Sequence, residues 1–116
     1  MTRSRTLALW LPVVAWAALI FTLSSIPNLS TGLGTWDLVL RKLAHATEYG
    51  ILGALLLRAL ARPGPAALAA IAYAATDEVH QHFVRGRHAT PRDAAIDAAG
   101  VLVGIAIYRR TRQYHP

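Results

Sequence analysis

The sequence has no cysteine and few charged residues for its length. The lack of cysteine excludes disulfide bonds, thiolate metal sites and cysteine nucleophiles. Charged residues make up 16% of the 116 residues, against roughly 25% in an average soluble domain. Apolar residues make up 54%. This length and composition predict one domain, residues 1–116, that is rich in apolar surface.

Acidic residues are scarce: there are six, against twelve lysines and arginines, so the formal net charge is +6. In a soluble helical protein this charge would suggest nucleic-acid binding. The arginines, however, stand at the ends of apolar runs and do not form one continuous basic stripe. Such a distribution is typical of loops that border a bilayer, so we expect no nucleic-acid partner.

Four apolar segments predict an all-α fold, a bundle of four transmembrane helices. The predicted helices cover about residues 7–26, 37–61, 66–83 and 93–108. Pro63-Gly64-Pro65 separates the second helix from the third, and Pro91 stands just ahead of the fourth. A bilayer core takes about 20 helical residues. The first segment reaches that length cleanly, and the others reach it only if their polar end turns lie in the interface.

The N-terminal segment resembles a signal peptide, because Arg3 and Arg5 precede an apolar run. The run is long for a signal peptide and no A-x-A cleavage pattern follows it, so we expect a retained helix. With a cytoplasmic N-terminus, seven basic residues lie inside and five outside, whereas all six acids lie outside. We therefore expect both termini in the cytoplasm. Trp10, Trp36 and Tyr108 fall where an aromatic belt would lie.

Polar residues of the last three segments fall on narrow helical faces at the predicted outer end. At about 100° per residue, the sets of the second and third segments each cover about a third of the helix circumference, and the set of the fourth segment forms a nearly straight line along its helix. We expect the three faces to meet and line a polar pocket open to the outer membrane face. A carboxylate near the bilayer centre costs on the order of 2.5–3.5 kcal/mol, so each acid needs a partner or water. The three sets are Arg41, Lys42, His45, Glu48 and Tyr49; Asp77, Glu78 and Gln81; and Asp93, Asp97, Gly100 and Gly104.

Simpler interpretations exist for these residues. The charges could form a structural salt-bridge network that stabilises a small bundle. Gly100-x-x-x-Gly104 indicates close helix packing more than ligand contact. The two imidazoles of His80-x-His82 point about 200° apart on a helix and cannot share one ion. His45-x-x-Glu48 places two ligand types on one face, but further histidines are lacking there, so we expect no metal and no cofactor.

Three motifs resemble those of the VanZ-like family. The segment R-K-L-A-H-A-T-E-Y-G-I-L-G, residues 41–53, is similar to K-x-x-H-x-x-E-Y-x-x-L-G. Residues 77–87, D-E-V-H-Q-H-F-V-R-G-R, are similar to D-E-x-x-Q-x-F-x-x-x-R, and residues 93–104 are similar to D-x-x-x-N-x-x-G-x-x-x-G. Asp97 departs from the family's usual Asn, which puts in doubt any role that needs a neutral amide. Together the three motifs are specific, and singly each is weak.

The resemblance implies a multi-pass protein of the bacterial inner (cytoplasmic) membrane and of the cell envelope. The family's namesake is associated with low-level teicoplanin resistance, but the resemblance brings no agreed reaction. Our first hypothesis is an enzyme that acts on an anionic envelope lipid or lipid-linked glycan precursor. Its catalytic residues would be His45, Glu48, Asp77, Glu78 and Asp93, and its substrate-binding residues Arg41, Lys42, Tyr49, Gln81, Arg85, Arg87, Arg92 and Asp97.

A second hypothesis is non-catalytic. The same pocket would bind a lipid or lipoglycopeptide, or the protein would be an accessory or structural component of the membrane. Basic residues would hold the ligand in either case, since guanidinium groups bind phosphate bidentately. Four short helices bury little surface, so the sequence also allows a homo-oligomer.

Overall fold

The residues that the structure describes form four α-helices. A computed structural model describes residues 3–24, 35–83 and 91–113. The helices are α1 (Arg3–Ser24), α2 (Thr35–Leu60), α3 (Pro63–His82) and α4 (Pro91–Gln113). Within these described ranges there is no strand. The predicted all-α class and the number of helices are therefore confirmed.

Three helix ends differ by three residues or more from the expected positions. The first helix was expected to begin at residue 7, but α1 begins at Arg3. The third helix was expected to begin at residue 66, but α3 begins at Pro63 and includes Pro65 in its first turn. Proline is tolerated there because the first backbone N–H groups of a helix have no intrahelical acceptor. The fourth helix was expected to end at residue 108, whereas α4 continues to Gln113. Its last residues include arginine and glutamine, which are good helix formers.

Helices α2 and α3 are joined by a two-residue turn. Ala61 follows the last residue of α2 and has a positive φ of 63°. Its backbone N–H donates to the carbonyl of Leu57 over 2.7 Å. This is the left-handed ending of many helices, although glycine usually occupies the position. The short turn makes α2 and α3 antiparallel neighbours.

Helices α2 and α4 run parallel and touch through their backbones. A Cβ atom added at Gly104 would overlap the backbone of Gly50, and one added at Gly100 would overlap the backbone of Ala46. On α2, a Cβ at Gly53 would lie 3.1 Å from the carbonyl oxygen of Val101. These contacts form what we call the α2–α4 seam. Gly100 and Gly104 serve helix packing, as their spacing predicts.

The apolar core draws on all four helices. Helix α3 contributes Ala66, Ala70 and Ala74, which recur every four residues and form one narrow buried face. The other buried apolar side chains are Val13 and Ile20 of α1; Tyr49, Leu52, Leu56 and Leu57 of α2; and Val101 and Ile105 of α4. The small alanine face lets α3 approach α2 and α4 closely.

Large apolar side chains also cover the outside of the bundle. Among the residues whose side chains the structure describes, fifteen are exposed, and every helix contributes, with Leu11, Leu43, Leu68 and Ile107 as examples. Within the described ranges, the stretch Arg3–Leu23 is long and apolar enough to cross a membrane, with a mean hydropathy of 2.1. Because a signal sequence has the same properties, this stretch alone is weak evidence for a membrane protein.

Candidate functional site

The centre of the candidate site is a hydrogen bond between α2 and α3. Tyr49 is completely buried, and Asp77 is 4% exposed. The Tyr49 hydroxyl donates to Oδ2 of Asp77 over 2.6 Å. Hydrogen bonds to a charged acceptor are among the stronger ones, and a buried carboxylate needs such a donor. The sequence suggested Tyr49 as a substrate contact, but the structure gives its hydroxyl to Asp77.

A second polar contact joins α2 to α4, one turn away. Nδ1 of His45 lies 3.7 Å from Oδ1 of Asp97. The His45 side chain is 22% exposed and the Asp97 side chain 6%. His45 and Tyr49 are four residues apart on α2, and their ring centroids are 6.4 Å apart. One face of α2 therefore contacts one buried carboxylate from α3 and one from α4.

Two basic residues of α2 lie one turn before His45, towards the end of the bundle at which α2 begins. Arg41 and Lys42 are half-buried on α2, at the turn before His45. Nε of Arg41 is buried and has no hydrogen-bond partner within the described part of the chain. Glu48 and Glu78 are also half-buried at this end. The cluster thus combines two cations with four acids and one imidazole.

Helix α1 is attached beside this cluster by contacts that the sequence did not predict. The indole Nε1 of Trp16 donates to the carbonyl of Glu48 over 2.8 Å. The Tyr73 hydroxyl of α3 donates to the carbonyl of Ala17 over 2.6 Å, and its ring lies 6.3 Å from that of Tyr49. The available signal was chemical: Trp and Tyr in apolar segments need an acceptor for their polar tip.

An aromatic contact joins α1 to α3 towards the end of the bundle at which α2 begins. The rings of Phe21 and His80 are stacked, with centroids 4.4 Å apart and planes inclined by 23°. His80 therefore packs against α1. No group of three or more potential ligands that could hold a metal ion occurs in the described ranges.

The remaining predicted site residues are only partly covered. Gln81 lies in α3, and Arg92 and Asp93 lie in the first turn of α4, but their side chains are outside the described part of the structure. Arg85 and Arg87 lie outside the described residues altogether. Contacts join His45, Tyr49, Asp77 and Asp97, and four half-buried charged residues lie on the neighbouring turns of α2 and α3, namely Arg41, Lys42, Glu48 and Glu78. We call these eight residues the polar cluster.

Comparison with known families decides the identity of the chain. The model of the family described as VanZ/LLP1 matches residues 3–112, which is nearly the whole chain. The chain belongs to the VanZ/LLP1 family. No curated protein and no solved structure matches it significantly. In this VanZ/LLP1 protein, the acid that replaces the usual Asn of the third motif is Asp97, and its carboxylate lies beside the imidazole of His45.

Proposed function

We propose that this VanZ/LLP1 protein spans the bacterial inner membrane with all four helices. Its polar cluster would lie near the outer face and hold the anionic head group of an envelope lipid or lipid-linked precursor. Both termini would be cytoplasmic. The proposal has two parts, the membrane placement and the ligand, and different observations support each.

The membrane placement is supported by the distribution of polarity. In the described part of the chain, fifteen large apolar side chains are exposed, while the carboxylates of Asp77 and Asp97 are buried. Monomeric soluble proteins rarely expose such extensive apolar surface, and they rarely bury charges. In a bilayer the exposed apolar side chains contact lipid instead of water, and helices satisfy their own backbone hydrogen bonds there. The contacts between the helices make all four overlap over about 16 residues, or about 24 Å, so the helix ends beyond this stretch would lie in the interface of a bilayer whose core is about 30 Å thick.

The ligand is inferred from the polar cluster. The observation that carries it is that α2 holds two buried carboxylates from different helices and presents Arg41 and Lys42 one turn closer to the end. Placing an ionisable group inside a membrane costs free energy, so such a group is taken as a candidate functional residue. The two cations suit a phosphate or other anionic head group, and Arg41 can bind it bidentately.

The same cluster could support acid–base chemistry on the bound head group. Asp77, Glu48 or Glu78 would act as the general acid or base, and His45, the partly exposed member, would carry protons. Serine and cysteine are absent from the described part of this cluster, and Thr47 is exposed with its hydroxyl donating to Leu43. Water or a substrate hydroxyl would therefore be the attacking group.

One observation favours a second candidate, a structural role without ligand. Tyr49 and Asp77 lie in the core, where their hydrogen bond joins two helices and neither group reaches the surface. A single pair of this kind is well explained as a structural connection. A purely structural role does not explain why Arg41 and Lys42 are half-buried on the same helix.

Binding is tested first, with purified protein in a neutral detergent and a polyprenyl phosphate as the probe. We expect saturable binding that falls at least tenfold in the double variant Arg41→Gln/Lys42→Gln. The matched control, Arg58→Gln/Arg62→Gln, removes two exposed arginines at the opposite end of the bundle and should weaken binding less than twofold. Equal affinities of the two double variants would refute the ligand site.

Turnover is tested next, with mass spectrometry of lipid-linked phosphates incubated with the protein. Glu48→Gln and Asp77→Asn should abolish turnover and leave binding intact if the protein is an enzyme. Saturable binding without turnover of any envelope lipid would identify a binding protein. Absence of both would leave the structural role.

A further inference from the structure

The end of the bundle opposite the polar cluster collects arginines from three distant parts of the sequence. Two stand at the start of α1, two at the end of α2 and its turn, and two at the end of α4. We call this group the arginine end; it comprises Arg3, Arg5, Arg58, Arg62, Arg109 and Arg110, and all six side chains are exposed. The acids with described side chains, Glu48, Asp77, Glu78 and Asp97, belong to the opposite cluster.

Inter-helix contacts fix the height of these arginines. The hydrogen bond from Trp16 to Glu48 aligns α1 with the antiparallel α2, and the contact of Gly104 with Gly50 aligns α4 with the parallel α2. At 1.5 Å per residue, these alignments place all six arginines in a layer about 10 Å thick. Positions more than 50 residues apart in sequence thus form one basic surface.

Two aromatic residues border this layer on its inner side. By the same alignments, Trp10 of α1 and Tyr108 of α4 lie at equal heights, on the side of the arginines that faces the middle of the bundle. Both are half-buried against the core and retain some exposure. Amphipathic rings prefer the boundary between hydrocarbon and head groups. Aromatic rings followed by a layer of arginines is the order that is typical of a membrane interface.

We infer that the arginine end is a docking surface for the head groups of anionic phospholipids in the adjacent leaflet. This inference rests on the membrane placement proposed above, but not on the ligand proposed for the polar cluster. Guanidinium groups bind phosphate bidentately, and several cations near an anionic leaflet act additively. In the described part of the chain, this surface differs from the polar cluster in containing no acidic side chain, and its ligand is a bulk lipid and not a precursor.

The test is competition between two lipids for the full chain in a nonionic detergent. Equal amounts of phosphatidylglycerol and phosphatidylcholine are added, and retained lipids are counted by native mass spectrometry. We expect the wild-type protein to retain phosphatidylglycerol at least fivefold more often. The quadruple variant R58Q/R62Q/R109Q/R110Q should lose this preference, and preference in the wild type should weaken as salt rises.

Two variants separate the possible causes of a loss. The quadruple lysine variant R58K/R62K/R109K/R110K keeps the charge and should keep most of the preference; its complete loss would overturn the electrostatic argument. R41Q/K42Q changes the polar cluster only and should retain wild-type preference even if it no longer binds polyprenyl phosphate. Loss of the preference in this double variant, or its survival in the glutamine quadruple, would overturn the inference.

A soluble competitor distinguishes a lipid surface from a site for free phosphate. Glycerol phosphate carries the same anionic group without acyl chains. At millimolar concentration it should leave retained phosphatidylglycerol unchanged, because the lipid is held by its chains as well as its head group. Displacement by glycerol phosphate would show a phosphate site that does not depend on the membrane, contrary to the inference.

Discussion

The α2–α4 seam and the attachment of α1 are built from opposite kinds of contact. Along the seam, backbone touches backbone, as where Gly104 meets Gly50. Helix α1 is held through side chains, with Trp16 and Tyr73 forming hydrogen bonds to carbonyl groups and Phe21 stacking on His80. The seam therefore requires residues without a side chain, whereas the attachment of α1 requires particular hydrogen-bond donors and aromatic rings. Added atoms should disrupt the first, and deleted groups should loosen the second.

The largest effect is expected from one added methyl group in the seam. Gly104→Ala places a Cβ where the backbone of Gly50 lies, so the two helices must move apart. Alanine gains about 1 kcal/mol in helix propensity, but overpacking against backbone should cost more, giving a net loss of about 2–3 kcal/mol. The measurement is the free energy of unfolding in detergent.

The matched control for this substitution is Gly64→Ala. A Cβ at Gly64 meets nothing within 4 Å, so the same chemical change should be neutral or slightly stabilising. If both alanine variants have the same stability, the seam is not as close as described.

The next effect concerns the polar contact that crosses the seam. His45→Leu deprives the buried carboxylate of Asp97 of its neighbouring imidazole, and we expect a loss of about 2 kcal/mol. Asp97→Asn alone should cost little, because Asn is the usual residue in this motif of the family. In the double variant Asn should recover part of the loss, with a coupling energy of about 1 kcal/mol. Strict additivity in the unfolding measurements would show that the two side chains do not interact.

Smaller effects are expected where α1 is attached. Trp16→Phe and Tyr73→Phe each remove one donor to a backbone carbonyl and keep the ring, so each should cost about 1 kcal/mol. Trp10→Phe is the control, because Trp10 lies on the same helix and packs against the apolar core of the bundle. Comparable losses at Trp10 and Trp16 would attribute the attachment of α1 to ring packing and not to hydrogen bonds.

The smallest effect provides a baseline outside both regions. Ala61→Gly relieves a left-handed backbone that costs alanine about 1–2 kcal/mol, and greater freedom of the unfolded chain offsets part of the gain. We expect a net stabilisation of about 0.5 kcal/mol. Ala69→Gly, at an exposed position inside α3, should instead destabilise by about 1 kcal/mol. A stabilising Ala69→Gly would mean that the assay reports something other than helix stability.

The sequence predicted the helices well, because they depend on local patterns. Apolar segments separated by Pro63-Gly64-Pro65 and by the residues before Pro91 became α2, α3 and α4. The four-residue periodicity placed His45 and Tyr49 on one face, and the structure brings that face against Asp97 and Asp77. The start of α3 was missed because proline was taken as a break, although the first turn of a helix accepts it.

The partners of these residues could not be read from the sequence. The spacing of Gly100 and Gly104 indicates a packing face but does not say which helix lies against it, and α2 was found there. Trp16 and Tyr73 were overlooked because single aromatic residues have no periodicity to mark them. Their role depends on carbonyl groups more than 30 residues away along the chain.

The backbone contact along the seam also has a consequence for motion. Side chains that interdigitate can exchange rotamers and let two helices slide, but glycine against glycine offers no such alternative arrangement. Helices α2 and α4 must therefore travel as a single rigid body. If the polar cluster binds a ligand as proposed, displacement of α1 or α3 would have to open the path to it.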